Sequence, residues 1–589
     1  MLNRRQFARH ASIMGCSALL GACASKAPGN GKPANVPTGT RAAPANSEPI
    51  ASISRVDLDS VRAHATRQAI ARALHLSNRL GYGPKPGDIE NILRQGESAY
   101  IAQQLRPHSI PLPAALIAEL EALLTLRMPV ADAVNEYQAA IAANQTQTAT
   151  ATSPGPQANA AINSGAAVPI PARQNRRLFI REVAFDVNRN RLLRAIDSPR
   201  QLEEVLVEFW YNHFNVFIGK GLDRVLTGHY EQQAIRPHVF GRFRDLLGAT
   251  AKHPAMLFYL DNAQSVAEGF TPRRAGNTPQ ALASAPRGLN ENYARELMEL
   301  HTLGVDAGYS QKDVTELARI LTGWTFDRRD TSGTAFRFDE RRHDNGSKIL
   351  LGHRVEPAGI AEGEWALDML ASHPATARHI AHKLAQYFVA DQVPAALVDS
   401  LARRFTQTGG DIREVLNDLF MSNEFWNLDQ TKFKTPYQFV VSSARAAGLS
   451  LPRNVLPLIG ALNQMGMPLH GCPTPDGYKN TEAAWLNPEA MTRRLNFATA
   501  LADGRLAFNR EVDASQMQPL ASLQGANRPI EANQPANSNS GSNRASLDWN
   551  KLINTLGSTI KTSTRTVIES SPPELRASLV LGSPEFMRK

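Results

Sequence analysis

The stretch GLNENYARELMELHTLG, residues 288–304, gathers three carboxylates, an arginine, two asparagines and a histidine within about four turns of predicted helix. Two of the carboxylates, Glu296 and Glu299, stand three residues apart. That spacing aims both at one point, as in helical bundles that hold divalent metals, and it equally suits general acid and base work. Arg295, beside them, is a candidate for holding an anionic substrate group. At about 100° per residue, Asn292, Arg295, Glu296 and Glu299 share one face. Tyr293, Ala294, Leu297, Met298 and Leu300 fill the opposite arc, with His301 in its middle. In a regular helix, therefore, Glu296 and His301 cannot belong to one ligand set. A plainer reading of the same residues is an Arg295–Glu299 ion pair on a solvated face, with His301 a packed histidine favoured by the helix dipole.

A second candidate group is RRHDNGSKILLG, where His343, Asp344 and Lys348 surround the turn pair Asn345–Gly346. A histidine, an acid and a lysine on a turn could hold a metal or an anion, and an exposed hairpin tip would have the same composition. His213, in FWYNHFNV, completes the candidate metal set of Glu296, Glu299, His301 and His213. His379 and His382 are three apart, a spacing that can chelate, but no HExxH or HxH supports it. His253 and His373 each precede a proline and a helical run, which predicts helix boundaries. In SQKDVTELARILTGW, Ser310 and Asp313 read as a capping box, with Val314, Leu317, Leu321 and Trp324 as the buried stripe.

What must position these residues is helical. ALHLSNRL, QLEEVLVEFWYNHF, TELARILTGW, IAHKLAQYFV and DIREVLNDLF all repeat apolar residues at three-four spacing. The prediction is a mainly α, multi-helical globular domain over residues 53–589, with at most a short β-hairpin, KILLGHRV (348–355) as one arm and FRFDE as the other. Low-complexity insertions at about 143–172, 270–288 and 513–547 interrupt it, because their composition cannot offset the entropy of ordering. The seven arginines of residues 173–195 predict either a surface for an anionic glycan or lipid, or a solvated helix face.

The N-terminus sets the compartment. MLNRRQFARHASIMGCSALLGAC places Arg4 and Arg5 before Phe7, then a short apolar core, then a small-residue site ending in Cys23. The order is that of an export signal, and its core is shorter than the ~20 residues that span a bilayer as a helix. The arginine pair resembles a twin-arginine signal and Leu20–Cys23 a lipobox, which implies cleavage before Cys23, acylation of that residue, and a flexible tether over 23–52. Alanine after the cysteine points to the outer membrane in a two-membrane host. Losing three arginines with the signal lowers the formal charge from +10 to +7. An exported lipoprotein rarely meets nucleic acid; the basic excess could favour an anionic surface such as lipid headgroups or acidic glycans, and solubility alone also accounts for it.

Of three cysteines, Cys16 leaves with the signal and Cys23 carries lipid, so Cys472 alone remains. An iron–sulfur cluster, which takes about four such ligands, is excluded, and no CxxCH offers a c-type haem site. Any cofactor must rest on oxygen and nitrogen ligands, as a divalent metal would. There is no GxGxxG, Walker loop or GxSxG either.

HLSNRLGYGPKPGDI, FWYNHFNV, HPAMLFYLDNAQS, GLNENYARELMELHTLGVDAGYSQKDVTELARILTGWTF, RRHDNGSKILLG, HPATARHIAHKLAQYFV and PTPDGYKNTEAAWLNPEAMTRRLN resemble, in that order, the bacterial DUF1800 family, from about residue 70 to the C-terminus. The resemblance implies a helical, exported protein, often encoded beside a second exported protein resembling sulfatases and phosphatases. It raises the functional reading of Asn292, Arg295, Glu296, Glu299, His301, His343, Asp344 and Lys348 without giving any of them a role. Two functions follow: an envelope enzyme, metal-dependent, acting on a cell-surface polymer such as polysaccharide, or a non-catalytic lipoprotein that binds another exported protein.

Overall fold

Proline and histidine set where several helices begin. In the computed structural model, which describes residues 55–139, 172–271, 288–327, 330, 335–510 and 546–589, His253 and His373 are both N-caps. Each ring accepts a hydrogen bond from the backbone N–H two residues on, at 3.1 Å, and the proline that follows takes the first helical position, where no N–H is needed. The helix Gln311–Ile320 opens with the capping box, Ser310 and Asp313 each bonding the other's backbone. Its stripe of Val314, Leu317, Leu321 and Trp324 is completely buried. The expected export signal, with Cys23 and the expected tether, and most of the low-complexity segments lie outside the described residues.

The fold of residues 61–589 is mainly α, its apolar residues joined in one continuous core. At the centre runs the helix Gln201–His213, buried along nearly its whole length. Among the described residues two small antiparallel pairs accompany the helices: β1 (Trp324–Phe326) with β2 (Phe336–Phe338), and β3 (Lys348–Leu350) with β4 (His353–Val355). KILLGHRV thus folds on itself rather than against FRFDE. Leu351 and Gly352 both take positive φ, the requirement of a type I′ hairpin turn; the leucine hid this turn from the sequence.

The arginines of residues 173–195 depart from expectation. Arg189 and Arg191, on the helix Ala172–Asp197, turn into the protein instead of lining a solvated face. Arg191 pairs with Glu231 at 2.9 Å and meets the His470 ring at 3.1 Å. Arg236 bridges Glu204 through both guanidinium nitrogens, at 2.8 and 2.9 Å. Burial would push the Glu231 carboxyl up, but Arg191, His470 and Arg236 together hold it well below the usual carboxylate range.

Candidate functional site

The motif helix is not regular. It is α-helical from Asn292 to Glu296 and continues as a π turn from Leu297 to His301; single π turns recur at functional sites. The Thr302 hydroxyl donates to the Leu297 carbonyl at 2.6 Å, within the widened turn. His301 remains on the buried arc, its ring 5.0 Å from Phe214 and 6.2 Å from His213 between centroids. Burial, with Lys383 and His379 nearby, lowers its pKa to about 3, so it is neutral.

The expected metal set does not assemble. His213 and His301 lie in the core, and Glu296 and Glu299 lie half-buried on the other arc of the helix. Among the described residues no group of three or more His, Cys, Asp or Glu side chains is placed to hold an ion, so the residues do not fit a resident metal. Arg295 turns back to Glu291, at 3.5 Å, rather than forward to Glu299. Glu296 and Glu299 make no hydrogen bond or ion pair with another described residue. Burial, then the Glu299 carboxylate, then Asp476, raise the Glu296 pKa against the pull of Arg295.

His343, Asp344 and Lys348 do form a cluster, though a structural one. Lys348 and His343 are fully buried, and both bind Glu362, at 2.5 and 3.0 Å. The other His343 ring nitrogen meets the Thr322 carbonyl at 2.9 Å, and Asp344 takes the Arg319 guanidinium through both oxygens. Glu362 also accepts the Ala358 and Gly359 backbone N–H groups. The His343 and Lys348 side chains are buried and spent within this network, while the turn Asn345–Gly346 between them is exposed. The network pins the β3–β4 hairpin to the start of the helix Ile360–Ser372.

The polar groups with unspent capacity meet elsewhere, in a cavity of about 140 Å³. Its walls come from the end of the helix Gln201–His213 (Glu208, His213), the helix Pro374–Phe388 (Lys383, Tyr387) and the loop 473–480 (Asp476, Lys479). Three of the quoted motif stretches converge here. Asn212 and Asn215, from FWYNHFNV, place the loop. Asn212 donates to the Tyr478 carbonyl and accepts its N–H, both at 2.7 Å; Asn215 donates to the Cys472 and Thr474 carbonyls at 3.0 and 2.8 Å. Gly477, at φ 68°, passes so close that a Cβ would lie 2.3 Å from the Asn212 carbonyl. Gly477→Ala should therefore cost at least the ~1–2 kcal/mol of a left-handed non-glycine residue and free the loop, read as faster hydrogen exchange at the Tyr478 amide with the helices unchanged.

The electrostatics within the cavity are uneven. Glu208 accepts hydrogen bonds from Tyr387 at 2.7 Å and Tyr82 at 3.3 Å, yet burial outweighs them and raises its pKa. Burial also acts on Asp476, but there the 2.7 Å hydrogen bond from Lys479 and another from Thr474 prevail and lower it. Among the described residues no carboxylate lies within ion-pair distance of Lys383. Burial, then Lys479, against the attraction of Asp476, lowers its ammonium pKa to about 8. The His213 ring N–H donates to the His301 carbonyl, 3.1 Å away, and burial followed by Lys383 and His379 holds the ring neutral. His379 packs beside His213 while His382 is exposed, so the two do not chelate together.

Sequence reading singled out His213 but missed Glu208, Lys383 and Asp476. The signal for Asp476 was its turn, PDG; Glu208 and Lys383 were masked by the apolar periodicity of their helices.

A helical protein with a polar, unevenly charged cleft assembled from three motif stretches defines the class. The chain belongs to the DUF1800 family, proteins of unknown function, whose profile matches residues 75–588. No curated protein and no solved structure matches it.

Proposed function

We propose that the protein is an exported, lipid-anchored envelope enzyme that hydrolyses a linkage in an anionic extracellular polymer, such as an acidic polysaccharide, at the cavity of Glu208, Lys383 and Asp476. One observation carries this reading. Two carboxyls lining one cavity have their acidities pushed in opposite directions, Glu208 up and Asp476 down, the arrangement that separates an acid from a permanently ionised partner. Beside them stands Lys383, which pairs with no carboxylate among the described residues.

Lys383, as an ammonium, binds an anionic group of the polymer. Glu208, protonated, gives its proton to the leaving oxygen as the carbon–oxygen linkage breaks. Asp476 remains ionised and faces the positive charge that develops on the sugar carbon. Water then adds to that carbon and its proton returns to Glu208, which closes the cycle without a metal. The cavity is smaller than the about 300–1,000 Å³ that enclose a whole small ligand, as suits a cleft gripping one substituent of a long chain that otherwise lies in solvent. The order of the twin arginines, apolar core and Cys23 supports export and acylation. The test is release of new reducing ends from acidic polysaccharides by the mature protein; no release from any polyanionic chain, with the protein folded, would overturn the reading.

A further inference from the structure

A second, larger cavity lies away from this site, and its chemistry is different. It encloses about 530 Å³ between the short helices Asp88–Gln95 and Glu97–Gln104 and the turn that follows the helix Ala172–Asp197. None of its lining residues lines the cavity of Glu208 and Lys383. The volume falls inside the range of about 300–1,000 Å³ typical of small-molecule sites.

Apart from Arg94, an exposed rim cation that bonds Asn91 and no carboxylate among the described residues, its charges are spent on one another. Lys85 pairs with Asp197 at 2.6 Å. Arg445 pairs with Asp88 at 2.8 Å and spends its other donors on the Gly83 and Ile196 carbonyls. Two of the wall amides are structural as well. Gln104 bonds Pro199 and Leu202, and Gln201 bonds Ala195, Ser198 and Tyr82. These bonds make the wall rigid. Beside Arg94, what remains unspent is neutral and faces both ways. Asn91 uses its oxygen on Arg94 and keeps its NH₂ group. Gln103 uses its oxygen on Gln95, which leaves the Gln103 NH₂ group and the Gln95 oxygen. Tyr100, half-buried in the wall, has a hydroxyl with no partner among the described residues.

We infer that this cavity binds a neutral saccharide. A sugar hydroxyl is donor and acceptor at once, so it matches a wall of uncharged amide donors, amide oxygen and phenol. The apolar faces of Ile92 and Ile110 suit the C–H face of a pyranose ring. A phosphate or carboxylate would find the Lys85 and Arg445 cations already paired and only the water-exposed Arg94 at the rim, and an apolar ligand would leave the amides unsatisfied. The inference does not depend on the chemistry proposed at Glu208. It would place a glycan hold on the protein whether or not the other cavity is catalytic.

Titration calorimetry of the folded mature protein with cellotetraose, chitotetraose and glucose tests it. At least one tetrasaccharide should bind. The Asn91→Ala/Gln103→Ala double variant should weaken that binding at least tenfold, and Tyr100→Phe, which keeps the ring and its packing, should weaken it by a smaller factor. Glu208→Gln should leave it unchanged. Tighter binding of a tetrasaccharide than of glucose would mean a glycan chain is held, and equal binding a free sugar. No binding of any neutral saccharide, or binding that the double variant leaves intact, would overturn the inference.

Discussion

Replacing Glu362 with alanine should destabilise the fold by about 3–5 kcal/mol, the scale seen when one member of a buried ion pair is removed. The variant takes from the fully buried Lys348 ammonium its close carboxylate partner at 2.5 Å, leaving it the Asp344 carbonyl and the Asp344 carboxylate at 4.0 Å. It also strips the His343 ring and two backbone N–H groups of their acceptor. Lys348→Met should cost clearly less, because Glu362 keeps three of its four donors. Denaturant unfolding of the two variants measures the contrast. The pH dependence carries the same signature. Burial opposes ionisation of Glu362, but Lys348, His343 and the Ala358 N–H pull its pKa below the ordinary 4.5. A carboxyl with a depressed folded pKa contributes stability above the unfolded value and loses it as pH falls through the folded value. Wild type should therefore weaken on acidification below about 4.5, and Glu362→Gln should show a shallower loss over that window.

The second large effect is catalytic. Glu208→Gln should lower the rate of polymer cleavage by about 10²–10⁴-fold, the usual worth of a general acid, because the amide preserves the Tyr387 contact but has no proton to give. Asp476→Asn should also abolish cleavage. It removes in addition the partner of Lys479 and one attraction on Lys383, so its Lys383 pKa should fall further. The pH profile follows from the signs. Activity should rise as Asp476 ionises, at a pH below the ordinary aspartate value, and fall when Glu208 deprotonates and Lys383 loses its charge, the latter near pH 8. Initial rates across pH, in wild type and both variants, check the profile.

Much of the fold was legible because local chemistry dictates it. Ser310 and Asp313 cap their helix whatever surrounds them, His253 and His373 with their prolines start two more, and the Val314–Leu317–Leu321 stripe had to be buried. Periodicity, however, reveals which arc is covered and not what covers it. Glu208 sits on a helix buried on nearly every side, so no polar face marked it. Arg189 and Arg191 looked solvated until Glu119, Glu231 and His470 were seen to meet them, from 40 to about 280 residues away in sequence. His343, Asp344 and Lys348 were correctly grouped, but their purpose depended on Glu362, which lies on an ordinary amphipathic run. The π turn at Leu297–His301 left no sequence signal, although His301 fell on the buried arc as a regular helix would also place it. Glu296 and Glu299 drew attention first, yet what the fold brings to them is the charge of Asp476; the cavity with unspent polar groups is centred on residues from two other stretches.

The most direct test of this account is the titration of one amine. Lysine acylation followed by mass spectrometry, across pH and with or without an acidic polysaccharide, reads the state of Lys383 against every exposed lysine. The account predicts half-maximal reactivity of Lys383 near pH 8, a downward shift in Asp476→Asn, and protection by the polyanion that neutral chains do not give. A Lys383 that titrates with the exposed lysines, above pH 10, or that acidic polymer leaves unprotected, would contradict it.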